Sequence, residues 1–161
     1  MDTHLSLTIF LGVHTLGFSL WLSIALINNL HAFASSVGAI GATLSMAPLR
    51  QAPVIDTPLL ARALADPRLA RLALAFIVLL QMVAVATAWT GCYHLLLGEG
   101  LEPARAWLNL AASAALAFLF AMLLGGLWFG YWIRQEGLQL THLLLVVWVL
   151  AGFVVLNGRW V

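Results

Sequence analysis

Apolar residues along this chain gather into four long runs that are separated by shorter, more polar stretches. The runs cover roughly Leu5–Leu30, Leu72–Leu97, Ala104–Ile133 and Leu138–Leu156. A helix needs about 20 residues to cross a hydrocarbon core of about 30 Å, so each run is long enough to span a membrane. Barrel strands would instead be segments of about 10 residues with alternating polarity, which do not occur here. The pattern predicts an all-α membrane protein with one domain, residues 1–161, built as a bundle of four transmembrane helices.

The composition supports the same class of protein. Of the residues, 63% are hydrophobic and 8% are charged, whereas an ordinary soluble domain carries about 25% charged residues. A net charge of +1 gives no basis for binding nucleic acid. Cys92 is the single cysteine, so no disulfide can form within the chain. We therefore expect the lipid bilayer as the protein's surroundings and no nucleic acid as a partner.

The arginines predict the orientation in the membrane. Of the seven basic residues, five lie in the first and third connections between the runs: Arg50, Arg62, Arg68, Arg71 and Arg134. The opposite side carries Arg105 and Arg159. Connections rich in arginine face the cytoplasm. We expect a multi-pass protein of a bacterial inner membrane, with both termini in the periplasm.

The connection between the first two runs differs from a short loop. Its first part, Phe33–Met46, is weakly apolar and too short to cross, and four prolines follow it before the second run. Proline breaks a continuous helix. We predict an interfacial or re-entrant half-helix in this first part. Beyond the first prolines we predict a short amphipathic helix near Leu59–Ala65. The alternative is a surface loop that lies along the membrane.

Small residues recur every four positions in the third run, at Ala117, Ala121 and Gly125. This spacing puts them on one face of a helix, and small side chains let two helices approach closely in lipid. Two interpretations stay open for this stripe. It either docks against another subunit or packs inside the four-helix bundle.

Several aromatic and polar side chains lie well inside the runs. Trp21 and Trp148 are far from the headgroup level at which tryptophan anchors helices. Their rings either pack against protein or contact a ring-bearing ligand such as a quinone or pigment. We expect His14, Gln81 and Asn109 to form hydrogen bonds between helices.

Histidine is the residue type that could ligate a haem in the membrane. Haem b takes two imidazoles at similar depth on facing helices; His31 and His142 are the candidates near one boundary, while His14 and His94 differ in depth. No sequence motif typical of a zinc site or of covalently attached haem occurs. We expect no intrinsic cofactor, with lipid, quinone or pigment bound at the surface. No carboxylate lies within a run and no repeat joins the two halves, which disfavours a transporter.

Short motifs connect the chain to a known family. They are Ile27-Asn28-Asn29-Leu30, Leu44-Ser45-Met46 and Gly125-Gly126-Leu127-Trp128-Phe129, with Trp132 and Gln139 beyond them. In these motifs, and over most of its length, the chain resembles the DUF2165 family of small four-span bacterial membrane proteins of unknown function. The family pattern carries acidic residues where this sequence has Ala47, Leu127 and Gln81. The resemblance therefore implies that ionisable chemistry has been lost in this chain.

These features favour a non-catalytic accessory or structural subunit of a larger bacterial inner-membrane complex, of the respiratory or photosynthetic electron-transport kind. Its partners would be the lipid bilayer and other membrane subunits. The first alternative is a membrane anchor that binds haem b or quinone, for which a depth-matched histidine pair would be the signature. The second is a small transporter, for which an embedded charge or a repeat would be the signature.

Overall fold

The structure, a computed structural model, describes residues 3–98 and 100–158. Within these residues the secondary structure is entirely helical. In chain order the α-helices are α1 (Thr3–His31), α2 (Phe33–Leu44), α3 (Ala47–Arg50), α4 (Pro67–Leu96), α5 (Leu101–Trp128) and α6 (Glu136–Asn157). By length and composition, α1, α4, α5 and α6 can cross a membrane. The predicted all-α fold with four spans is confirmed. Arg159, which entered the orientation argument, lies outside the described residues.

Two of the predicted helix bounds were wrong, and local signals explain both. Helix α4 begins at Pro67 rather than at Leu72, because the Asp66 carboxylate accepts a hydrogen bond from the Arg68 amide at 2.8 Å. Proline is well suited to the first position of a helix. Helix α5 ends at Trp128 rather than at Ile133. Gly130 has a φ of +66°, a left-handed conformation that commonly follows the end of a helix, and a short 3-10 turn follows it.

The connection between α1 and α4 contains the predicted half-helix, which is α2. Helix α2 packs against α4, and after it the chain folds back so that the Leu64 amide donates to the Leu44 carbonyl at 2.8 Å. A small apolar cluster of Met46, Leu49 and Phe129 joins this connection to the end of α5. The amphipathic helix predicted over Leu59–Ala65 is instead a 3-10 segment, Pro58–Arg62.

Helices α4 and α5 form the most extensive contact of the bundle. Helix α5 also packs against α6, while α1 packs against α4. Where α4 meets α5, Ala84 and Ala88 face Ala111 and Ala115, and all four side chains are fully buried. Small side chains allow the close backbone approach that stabilises helix pairs in lipid. By these contacts the spans follow the order α1, α4, α5, α6 around the bundle, and side-chain contacts between α1 and α6 close it.

Candidate functional site between the first and last spans

Helices α1 and α6 meet chiefly through aromatic side chains. The Trp148 ring on α6 makes edge-on contacts with three rings of α1, at centroid distances of 6.0 Å to His14, 5.6 Å to Phe18 and 5.4 Å to Trp21. Positions 14, 18 and 21 are four and three residues apart, so they share one face of the helix. Edge-to-face geometry at these distances is favourable for aromatic pairs. We call these four residues the aromatic cluster.

A cleft opens beside the aromatic cluster. It is small, with a volume of about 30 Å³ that a water-sized sphere can enter. Its lining comes from α1, α5 and α6 and consists of His14, Thr15, Phe18, Leu108, Ala112, Trp148, Val149, Gly152, Phe153 and Leu156. None of these side chains is an acid, an arginine or a lysine. The cleft is therefore an apolar, uncharged site with a histidine in its wall.

The His14 imidazole lies directly against the backbone of α6. A Cβ atom at Gly152 would be 2.5 Å from His14 Nε2, closer than two non-bonded heavy atoms can approach. An alanine at this position would therefore require the ring to shift. Within the part of the chain that the structure describes, the imidazole has ring contacts with Phe10 and Trp148 but no recorded hydrogen bond. It is half-buried, and at this depth no bulk water is available to it.

The other two polar residues singled out from the sequence bond to neighbouring helices. Gln81 of α4 is buried and accepts a hydrogen bond from Asn29 of α1 at 3.0 Å. Asn109 of α5 and Asn157 of α6 exchange two amide hydrogen bonds, at 2.9 and 2.8 Å. These bonds satisfy polar groups that would be costly to leave unpaired in lipid. Each links two spans rather than forming part of the cleft.

The two haem candidates have different surroundings. His142 is buried, and its Nδ1 lies 3.5 Å from the Tyr131 hydroxyl. His31 is exposed at the end of α1. Among the described residues, no group of three or more His, Cys, Asp or Glu side chains could hold a metal ion. The geometry therefore pairs His142 with Tyr131 and not with His31.

The small-residue stripe of α5 faces outward. Ala117 and Ala121 are exposed, and a Cβ added at Gly125 would meet nothing within 4 Å. The interpretation that this stripe packs inside the bundle was wrong. Ala111 and Ala115, on the adjoining face, make the internal contact instead. Ala117, Ala121 and Gly125 therefore form a surface that faces lipid or another protein.

Sequence reasoning picked out three members of the aromatic cluster but missed Phe18, and it also missed Gly152. Phe18 follows His14 by one helical turn, a signal that the sequence does contain. Gly152 carries no such signal, because its importance depends on a ring from the other end of the chain. The same holds for Asn157, the partner of Asn109.

Four apolar spans, with interhelical amide pairs and an uncharged cleft between the spans, define a multi-pass α-helical integral membrane protein. Within that class, the chain belongs to the DUF2165 family, described as predicted small integral membrane proteins, whose family model matches residues 7–159. No curated protein and no solved structure matches the chain.

Proposed function

We propose that the chain is a non-catalytic accessory subunit of a larger complex in a bacterial inner membrane, of the kind that carries respiratory or photosynthetic electron transport. The observation that carries this proposal is the outward stripe of Ala117, Ala121 and Gly125. Lipid chains are as apolar as leucine, so helices associate in a membrane through close packing and hydrogen bonds rather than through hydrophobic burial. A stripe of small residues supports such close packing.

Large exposed side chains lie next to the stripe on α5. Phe120 and Leu124 are 40% and 60% exposed on the same outward side of α5. Large side chains therefore stand beside the alanines and the glycine of the stripe, and the docking surface that we propose is the groove that such a difference in side-chain size leaves on a helix. A helix of a partner subunit would fit its own ridge of side chains into this groove, as ridges fit grooves between packed helices.

The proposed orientation places both termini in the periplasm. Arg62 and Arg134 support it, because both are held at the end of the bundle where the long connection lies. The Arg62 guanidinium is 4.4 Å from the centre of the Trp128 ring, and Arg134 donates a hydrogen bond to the Pro53 carbonyl. Arginine is enriched in cytoplasmic connections, and tryptophan marks a membrane boundary on either side.

A photo-crosslinking amino acid tests the docking face directly. Placed at Ala117 in cells, it should give an adduct with one defined membrane protein of different sequence, which mass spectrometry identifies. The matched control is the same amino acid at Ala86, an exposed alanine on α4, which should give no such adduct. Adducts with lipid alone, or with a second copy of this chain, would contradict the accessory role.

A substitution in the groove gives an independent test. Ala121→Leu should leave membrane insertion and the thermal stability of the isolated protein unchanged, because the side chain points outward. It should remove the crosslinked partner from the complex purified in mild detergent, since leucine at the base of the groove holds the two backbones apart. Ala86→Leu serves as the control. Full retention of the partner by Ala121→Leu would place the contact elsewhere.

A further inference from the structure

The helix that begins the chain is interrupted at Ala32. Helix α1 ends at His31 and α2 begins at Phe33, and Ala32 between them has a φ of −101° and a ψ of 33°. The Ala32 amide donates to the Asn28 carbonyl, and the Ser36 amide donates to the Ala32 carbonyl, both at 2.9 Å. Helices α1 and α2 therefore follow one another with a single irregular residue between them.

Contacts with α4 show how α1 and α2 are aligned. Asn29, near the end of α1, donates a hydrogen bond to Gln81 at 3.0 Å. A Cβ added at Gly41 of α2 would be 3.7 Å from the Ala70 Cβ. The numbers of residues between the two contacts are nearly equal on the two sides, so α1 and α2 run antiparallel to α4 in one register. Together they form a discontinuous helix, and its break lies between these two contacts.

The same register fixes the depth of the break. Gln81 is at the middle of α4, which covers Pro67–Leu96. The apolar part of α4 lies between Arg71 and Tyr93, which are about 33 Å apart at 1.5 Å per residue, close to the thickness of a hydrocarbon core. Asn29 is bonded to Gln81, so the end of α1 lies near the middle of the membrane. Helix α2 covers the remaining depth.

Polar side chains on the outside of the bundle accompany the break. Asn28, His31 and Ser35 are exposed, and among the described residues none of these three side chains has a hydrogen bond. Lipid chains offer no partner to an amide, an imidazole or a hydroxyl, and polar groups inside a membrane face protein or a water-filled cavity. The three side chains lack the long stems with which lysine and arginine reach the headgroups. A further protein surface therefore has to cover them.

We infer that this face of α1 binds the same face of a second copy of the chain, with hydrogen bonds between the two copies at Asn28 and His31. An amide and a neutral imidazole each carry a donor and an acceptor, so the face is complementary to itself. Two copies with the same orientation in a membrane are related by a two-fold axis along its normal, which brings each residue to the depth of its counterpart. Reciprocal amide bonds between spans already occur in this chain, at Asn109 and Asn157.

Apolar residues extend this face towards the outer side of the membrane. Leu20, Ile24, Ile27 and His31 follow one another at spacings of four, three and four, which is the spacing along the seam of a left-handed helix pair. The three apolar side chains are 46%, 57% and 60% exposed. They supply van der Waals contact and the polar residues supply hydrogen bonds, which are the attractions that join helices in lipid. This dimer goes beyond the accessory role, because the stripe proposed for that role belongs to α5.

Single-molecule photobleaching of the full-length protein in phosphatidylcholine vesicles tests the dimer. With one fluorophore per chain, spots should bleach in two steps at high protein-to-lipid ratio and in one step on dilution. Asn28→Leu should weaken dimerisation about three- to tenfold, the effect of losing about one interhelical hydrogen bond. Its thermal stability as a monomer should not change, because the amide has no partner within the described chain. Ser113→Ala, which removes an exposed hydroxyl from α5, should dimerise like the wild-type protein.

Cysteine crosslinking locates the contact. In a Cys92→Ala background, Ile27→Cys should give a disulfide-linked dimer when membranes are oxidised with copper phenanthroline. The control is Val83→Cys, which is two residues from Gln81 on α4 and 40% exposed in the wild-type chain, and it should remain monomeric.

A wild-type protein that stays monomeric at every protein-to-lipid ratio would overturn the inference. So would equal dimerisation of Asn28→Leu, or equal crosslinking of Ile27→Cys and Val83→Cys. A photo-crosslinking amino acid at Ile27 that reacts in cells only with a different protein would also overturn it, because the face would then have another occupant. None of these results affects the crosslinking test at Ala117, so the two proposals can fail separately.

Discussion

The Tyr131 hydroxyl lies 3.5 Å from Nδ1 of His142, and the two rings stack with their planes 22° apart. Both side chains are buried. This contact joins the turn after α5 to the first part of α6. Burial raises the pKa of the Tyr131 phenol above its usual value, so the hydroxyl keeps its proton at neutral pH. The contact depends on Gly126, because a Cβ there would be 2.6 Å from the Tyr131 ring.

We expect Gly126→Ala to destabilise the protein by about 1–3 kcal/mol, the usual cost of overpacking a well-packed site. The neighbouring Gly125→Ala is the matched control, since a Cβ at that position meets nothing within 4 Å. It should be neutral or stabilise the helix by up to about 1 kcal/mol. Thermal unfolding of both variants in the same detergent measures the difference. Equal stabilities would show that the Tyr131 ring is not held against α5.

Gly152→Ala should disturb the aromatic cluster, because the new Cβ would lie 2.5 Å from His14 Nε2. We expect the His14 ring to move away from α6, with a loss of about 1–3 kcal/mol in stability. Gly137→Ala is the control on the same helix, where the Cβ meets nothing within 4 Å. Near-ultraviolet circular dichroism should report a change in the Trp148 environment for Gly152→Ala alone. An unchanged spectrum would argue against close packing of α1 on α6.

The reciprocal amide pair of Asn109 and Asn157 should couple the first part of α5 to the end of α6. A double-mutant cycle with Asn109→Ala and Asn157→Ala should give a coupling energy of about 0.6 kcal/mol, the average found for such pairs in membranes. Unfolding measured in mixed micelles provides the four free energies. The stability losses of Asn109→Ala and Gln81→Ala should instead add up in the double variant, because Gln81 belongs to a different hydrogen-bonded pair.

Reporter fusions test the proposed orientation. A fusion at Gly100 should be active as a periplasmic reporter, and a fusion at Pro53 should be active as a cytoplasmic one. The reason is the distribution of arginine, which is concentrated in the connections that contain Pro53 and Arg134. The reversed result would contradict the proposed orientation and place both termini in the cytoplasm.

We expect the purified protein to show no Soret band of haem b. His142 contacts Tyr131, and His31 is exposed. The two histidines therefore do not form the facing pair that haem b needs as its axial ligands. An absorption spectrum of protein produced with added haem precursor measures this. A Soret band that both His31→Ala and His142→Ala abolish would instead establish a haem-binding anchor.

Most residues of the candidate site could be predicted from the sequence, but the sequence did not predict that they lie together. Trp21 and Trp148 stood out because each lies inside a span, and His14 stood out as a polar group at that depth. Nothing in the sequence showed that they meet, since 127 positions separate Trp21 from Trp148. Phe18 could have been added from helical spacing, whereas Gly152 could not.

The sequence by itself determined the class of protein, the number of spans and, to within a few residues, the ends of the helices. These properties are local: bilayer thickness sets the length of a span, and caps such as Asp66 or turns such as Gly130 set its ends. Tertiary structure alone decided which face of each helix points inward. In α5 the pair Ala111 and Ala115 and the pair Ala117 and Ala121 are both alanines four positions apart, yet the first pair is buried and the second exposed. Helical periodicity fixes faces relative to one another, but packing against α4 and α6 sets the rotation of the helix about its own axis.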